Sequence, residues 1–157
     1  KKIELAEAVS ATPNKRSSQD GVNDSYNEYY KVRYVYARDT SLSNKSGTSR
    51  DFCKDMMSAN KYYTKSDLKD VNSKTVNPGF GHDGSSYDIF LFKGGPQCLH
   101  FFERVIFRFS LRNAKKPLDD GQIISEAKAR SEGFTAEKND SKVAIAPRNM
   151  RNNGYYN

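Results

Sequence analysis

The sequence is short of the residues that staple or anchor a small protein. It has no tryptophan, two cysteines, two histidines and five prolines in 157 residues. Two cysteines far apart, Cys53 and Cys98, do not form a disulfide framework, and a reducing origin is expected. Hydrophobic residues make up only 36% of the chain against 29% charged. One domain with a modest core is therefore expected, with or without an extended arm. No apolar stretch reaches the roughly 20 residues of a membrane span. The best candidate, residues 87–111, is broken by Lys93, Glu103, Arg104 and Arg108, so no membrane is expected as a partner. The chain opens Lys-Lys-Ile, with neither an initiator methionine nor a signal-peptide core, as a cleaved or partial chain does.

Motifs of the common enzyme classes are missing as well. No serine-hydrolase, Walker or Rossmann pattern is present. Residues 79–84, GFGHDG, look like a phosphate loop only superficially, because no helix is expected after them.

Aromatic residues are plentiful, with 10 tyrosines and 9 phenylalanines, so a few large rings are expected to supply much of the buried area. The densest apolar sequence, residues 77–111, also holds both histidines and one cysteine. The net charge of +7 and pI near 9.3 suit an acidic partner such as nucleic acid or an acidic protein surface. The cations are scattered, however, and never form a run of five.

Taken in order, residues 1–8 could form two helical turns. Residues 9–28 are rich in Ser, Asn, Asp and Gly, and Pro13 breaks any helix. Residues 1–28 are thus expected to be an arm or linker ordered by a neighbour, with a compact domain over residues 29–157. Residues 29–38, YYKVRYVYAR, alternate: Tyr30, Val32, Tyr34 and Tyr36 fall on one face, Lys31, Arg33 and Val35 on the other. This predicts a strand with a Tyr/Val core face and a basic solvent face. A nucleic acid or protein partner would then meet Arg33, Tyr34 and Arg38, since alternating rings and cations can stack on bases and neutralise phosphates.

A capped helix is predicted near residues 48–60, with Phe52 and Met56 on one face. A short strand is expected at residues 61–63, then a helix from the Thr64 cap with Asp67 three residues on. Residues 87–93 are predicted to be a buried strand, and Gly94-Gly95-Pro96 a turn leading into a helical turn through Glu103. Val105, Phe107, Phe109 and Leu111 should point inward from a further strand and Arg108 outward. Residues 115–120 form a turn, and a helix from the Ser125 cap stops at Gly133. The sum is an α+β fold: a small antiparallel sheet with short helices.

The residues with ligand chemistry are Cys53, His82, Cys98 and His100, every cysteine and histidine of the chain. Two thiolates and two imidazoles satisfy tetrahedral zinc, and a structural zinc would help to hold so polar a core. The spacing contains no Cys-x2-Cys knuckle, and the same cysteines suit burial as small apolar residues. Cys98 and His100, two apart, could also face one way as nucleophile and base, but no third orienting group can be placed beside them. No catalytic residues are assigned, and an enzyme is not expected.

Two regions resemble proteins of tailed phages. Thr48-Ser-Arg-Asp-Phe-Cys53 followed by residues 58–68, SANKYYTKSDL, is similar to a motif of minor head (MuF-type) head-morphogenesis proteins. Residues 93–104, KGGPQCLHFFER, and 146–156, APRNMRNNGYY, resemble the C-terminal region of virion proteins of Bacteroidetes-infecting, crAss-like phages. The Cys-x-x-Cys and His-x-x-Cys of typical MuF domains are missing here. The resemblance implies a structural, head- or portal-associated component of a phage particle, assembled in the host cytoplasm. Its implied partners are other virion proteins of the capsid or portal, in many copies and symmetric, with packaged DNA as a further neighbour. The alternative from the residues alone is a basic nucleic-acid-binding module using the Tyr/Arg strand face.

Overall fold

The structure, a computed structural model, describes residues 9–23, 25, 27–38, 51–71, 88–92 and 100–136. The fold is α+β. Four antiparallel strands lie in sequence order: β1 (Gly21–Asn23), β2 (Glu28–Arg38), β3 (His100–Ser110) and β4 (Gln122–Ile124). Short helices surround them: α1 (Asp51–Ala59), α2 (Lys65–Lys69), α3 (Ile89–Phe92) and α4 (Glu126–Ser131).

The sheet is built on β2 and β3, which pair along their whole length from Glu28↔Ser110 to Arg38↔His100. Both sequences alternate, and both are rich in the aromatic and β-branched residues that fit a pleated surface. Directly opposed residues share a face. Tyr30, Val32, Tyr34 and Tyr36 therefore lie with Arg108, Ile106, Arg104 and Phe102 on one side. Tyr29, Lys31 and Arg33 lie with Phe109, Phe107 and Val105 on the other.

The first face carries the main core. Tyr34, Tyr36 and Phe102 pack against Phe52, Cys53 and Met56 of α1, Leu68 of α2 and Ile89 and Phe90 of α3. Tyr34 and Phe90 meet edge to face at 5.0 Å, Tyr36 and Phe102 at 4.9 Å. Such ring pairs add about 0.5–1.5 kcal/mol each beyond their buried area. The second face has a smaller cluster, Phe107, Phe109 and Leu118, with Tyr29, Tyr62 and Val105 packed against it.

The helices form where their caps are. Thr64 Oγ1 accepts from the Asp67 amide at 3.1 Å and Asp67 Oδ2 accepts from the Thr64 amide at 3.0 Å, the reciprocal box expected there. Ser125 caps α4 by accepting from the Lys128 amide at 3.0 Å, and Gly133 ends the turn at φ +96°.

Four expectations are corrected. The strand expected at residues 87–93 contains helix α3 instead. Asp88 Oδ1 accepts the Phe90 amide at 3.0 Å and starts a turn, and a short unbroken apolar run carries no period of its own. The helical turn expected to run on through Glu103 gives way to β3, because residues 100–103 complete the ladder with β2. Arg108, expected outward, lies on the face of Tyr30 with its side chain 19% exposed. In place of a strand at residues 61–63 there is one bridge, Tyr63 to Tyr34, with N–O distances of 2.7 and 2.8 Å. The sequence also gave no warning of β4. The two helical turns expected at residues 1–8 and the C-terminal tail fall outside the described residues.

The arm before β2 is ordered by its own domain across residues 9–23. Val9 is buried in the main core. The Thr12 amide and hydroxyl donate to Asp67 at 2.8 and 2.7 Å, and Asn14 Oδ1 accepts the Leu118 amide at 2.8 Å. Beyond β1, the outer edge of β2 is closed by Asp20 Oδ1, which accepts the Val32 amide at 3.0 Å, and then by Tyr63 at Tyr34. A sheet edge left open would template aggregation.

Candidate functional site

The basic face of β2 was expected to meet solvent, and it does not. Arg33 is fully buried and all five of its N–H donors are used. Nε donates to Pro13 O at 2.8 Å. Nη1 donates to Asp20 Oδ1 at 2.7 Å and Val32 O at 2.8 Å. Nη2 donates to Lys15 O at 2.8 Å and Asp20 Oδ2 at 3.2 Å. The Asp20 side chain is itself 1% exposed and accepts the Ser17 amide at 3.0 Å as well. The planar guanidinium fork suits this bidentate geometry, and the pair binds the arm to the sheet. Arg33 is thus a structural strap, with no donor left for a partner. Tyr34, the second predicted contact, is also fully buried, and its hydroxyl accepts from Gln19 Nε2 at 2.9 Å. Arg38 is the last residue of β2, opposite His100; its side chain falls outside the described residues.

Of the four predicted zinc ligands, Cys53 and His100 are described and both are buried. They share a neighbour. Cys53 Sγ lies 3.1 Å from the Tyr36 hydroxyl, and the His100 ring stacks on the Tyr36 ring at 5.2 Å and 6°. His82 and Cys98 fall outside the described residues, and among those described no three His, Cys, Asp or Glu side chains group to hold a metal. Two donors do not complete a tetrahedral site. The described chemistry at Tyr36 is aromatic packing with a buried thiol.

A second charged network lies on the Tyr30 side of the sheet. Glu132, near the end of α4, accepts from the Tyr30 hydroxyl at 2.6 Å and pairs with Arg108, which also reaches Glu28 at 3.4 Å. The Tyr30 hydrogen bond, with Arg108 and Lys128 beside it, holds the Glu132 carboxyl below its ordinary range despite burial. Burial, then the Glu132 bond and charge, pushes the Tyr30 phenol well above its ordinary 10. Here too every group is answered inside the domain.

Lys31 is different. It stands two residues before Arg33 on the same face and is 4% exposed. Its Nζ donates to Lys116 O at 3.3 Å and lies 5.0 Å over the Phe109 ring. Among the described residues it makes no ion pair. Burial, and after it the charge of Arg33, holds the Lys31 ammonium below its usual pKa, while Asp20 opposes the shift. It lines a cleft of about 390 Å3 together with Asn14, Arg16, Tyr29, Ala114 and Lys115. Sequence reasoning missed Asn14, Arg16 and Lys115. Asn14 and Arg16 lie far from Lys115 in the chain, and only the folding-back of the arm onto the turn after β3 gathers them.

Compared with protein-family models, with curated proteins and with solved structures, the chain matches none. Among the described residues no helix is long and apolar enough to cross a membrane.

Proposed function

We propose that the chain is a non-enzymatic structural component of a tailed-phage particle, associated with the head or portal and assembling through protein–protein contacts. The similarity of residues 48–68, 93–104 and 146–156 to minor head and crAss-like virion proteins supplies the class. The observation that carries the assembly role is the form of the sheet edges. The sheet ends on two three-residue strands, β1 and β4. Each has a large apolar residue in solvent, Val22 at 49% and Ile123 at 59% exposure. By register with Tyr29 and Phe107 the two share one face. Outer strands with exposed aliphatic residues can take up a neighbour's strand or loop. In this reading the basic surface meets packaged DNA or acidic capsid surfaces.

Mass spectrometry of purified particles of the encoding phage tests the reading. Peptides of this chain should be present in washed particles at a fixed ratio to the capsid protein. A chain abundant in infected cells and absent from particles would overturn it.

A further inference from the structure

The cleft beside Lys31 gathers positive charge, and no carboxylate lines its walls. Its walls come from three parts of the chain: Asn14 and Arg16 of the arm, Tyr29 and Lys31 of β2, and Ala114 and Lys115 of the connection from β3 to β4. The ionisable groups that can carry a formal charge at neutral pH on these walls are all cations. Among the described residues neither Arg16 nor Lys115 makes an ion pair. The charge of Asp20 reaches Tyr29 and Lys31, but Asp20 is not among these walls, and both its oxygens already accept from Arg33 and backbone amides.

Lys31 gives this cleft a built anchor. An ammonium has three N–H donors, and Lys31 directs one to Lys116 O. Burying a cation without a counter-charge is costly unless an anion is taken up. Asn14 adds a neutral donor: its carbonyl oxygen accepts the Leu118 amide, which leaves its NH2 group as the free end. Cations and amide donors around one space match an oxyanion with several acceptor atoms, and phosphate is the common one. Tyr29 adds an aromatic wall. Its ring packs on the Phe107, Phe109 and Leu118 cluster and remains half-buried at the cleft. A base can stack on such a ring, and about 390 Å3 falls within the range of roughly 300–1,000 Å3 of small-ligand sites.

We propose that this cleft binds the phosphate group of a nucleotide, free or within a single strand, with Lys31 as buried anchor, Arg16 and Lys115 closing on the phosphate and Tyr29 beneath the base. The site is independent of the particle reading, and it uses different residues from Arg33, Tyr34 and Arg38, the partner contacts expected from the sequence.

The test is calorimetric titration of the full chain with adenosine and thymidine monophosphates, the matching nucleosides, inorganic phosphate and a five-nucleotide single-stranded DNA. Monophosphates should bind saturably, and nucleosides about ten-fold more weakly or worse. Arg16→Ala with Lys115→Ala should weaken the monophosphates by about ten-fold or more, with an unchanged melting temperature because both side chains are exposed. Lys69→Ala, in a separate cleft, should leave binding unaltered. A DNA strand that binds more tightly than the monophosphates, with an affinity slope near −0.7 per phosphate in log salt, identifies strand binding. The reverse order identifies a free nucleotide. The proposal is overturned if no phosphate-bearing probe saturates. It is also overturned if nucleosides bind as well as monophosphates, if inorganic phosphate binds as tightly as they do, or if the double variant binds like the parent chain.

Discussion

Lys31 and Arg33 sit two residues apart on one face of β2, and both are buried. Arg33 meets a carboxylate and three carbonyls. Lys31 meets one carbonyl and the face of a phenyl ring. Burial removes both from water, so the difference lies in what replaced the water. A cation whose every donor is answered within the domain holds the fold together. A cation left with spare donors in a cleft of cations is poised for something the domain does not supply.

The strongest way to break this comparison is at Arg33. Arg33→Met leaves Asp20 buried without its partner, and Asp20→Asn leaves the guanidinium without a counter-charge. Each should cost about 3–5 kcal/mol, or a fall in melting temperature of roughly 2–4 °C per kcal/mol in a chain of this length. Urea denaturation measures it. The double variant Arg33→Met with Asp20→Leu should recover much of the loss, since it leaves neither charge buried alone. Single variants within 1 kcal/mol of the parent chain would show that the strap is dispensable.

A smaller effect is expected from beneath Lys31. A Cβ at Gly121 would lie 2.5 and 2.7 Å from the Phe109 ring, closer than real side chains approach. Phe109 is itself buried and has little room to retreat. Gly121→Ala should therefore destabilise by about 1–3 kcal/mol through overpacking, while displacing the ring over which the Lys31 ammonium lies. Thermal melting reports the first effect and phosphate-ligand titration the second. A variant with parental stability and parental binding would detach the ring from the cleft.

Much of this was legible in the sequence, and the part that was not has a common cause. The alternation of residues 29–38 gave β2 and its aromatic core face, and the Thr64/Asp67 and Ser125 caps gave α2 and α4, because period and cap are local signals. The α+β class followed from them. The fate of the second face of β2 was not legible, since it depends on a Ser/Asn-rich arm folding back. Nothing local marks Asp20 as the partner of Arg33. The apolar run at residues 87–93 failed for another reason: without polar residues to set a period, only the Asp88 turn decides for a helix. Of the expected contacts Arg33, Tyr34 and Arg38, the first two are buried and bonded within the domain. Lys31, placed on the same face, was passed over.

The Glu132 network sharpens the same comparison through pH. The folded-state pKa of Glu132 is depressed below its ordinary 4.5. Its contribution to stability is thus complete above the unfolded value and lost as pH falls from there through the folded value. Melting temperature should decline over this acidic window. In Glu132→Gln the part of the decline owed to this carboxylate should vanish, leaving a shallower curve at a lower starting stability, because Arg108 keeps Glu28 but loses Glu132 as a counter-charge. Superimposable pH profiles for the two proteins would remove Glu132 from the set of charges that hold the domain.

The smallest effect is the most discriminating, and it is at Lys31. Methionine has nearly the same length and keeps the aliphatic stem packed, so Lys31→Met removes the ammonium with little change in volume. What is lost is one hydrogen bond, worth about 0.5–1.5 kcal/mol, and a cation–π contact of similar size. What is relieved is the desolvation of a charge that makes no ion pair among the described residues, together with its repulsion from Arg33. These nearly cancel, and urea denaturation should place the variant within about 1 kcal/mol of the parent chain. Nucleotide binding should nevertheless fall by about ten-fold or more. A loss of 3 kcal/mol or more would make Lys31 a second strap like Arg33, and the contrast between the two cations would collapse. Near-parental stability with lost binding is the combination that only a ligand-facing cation produces.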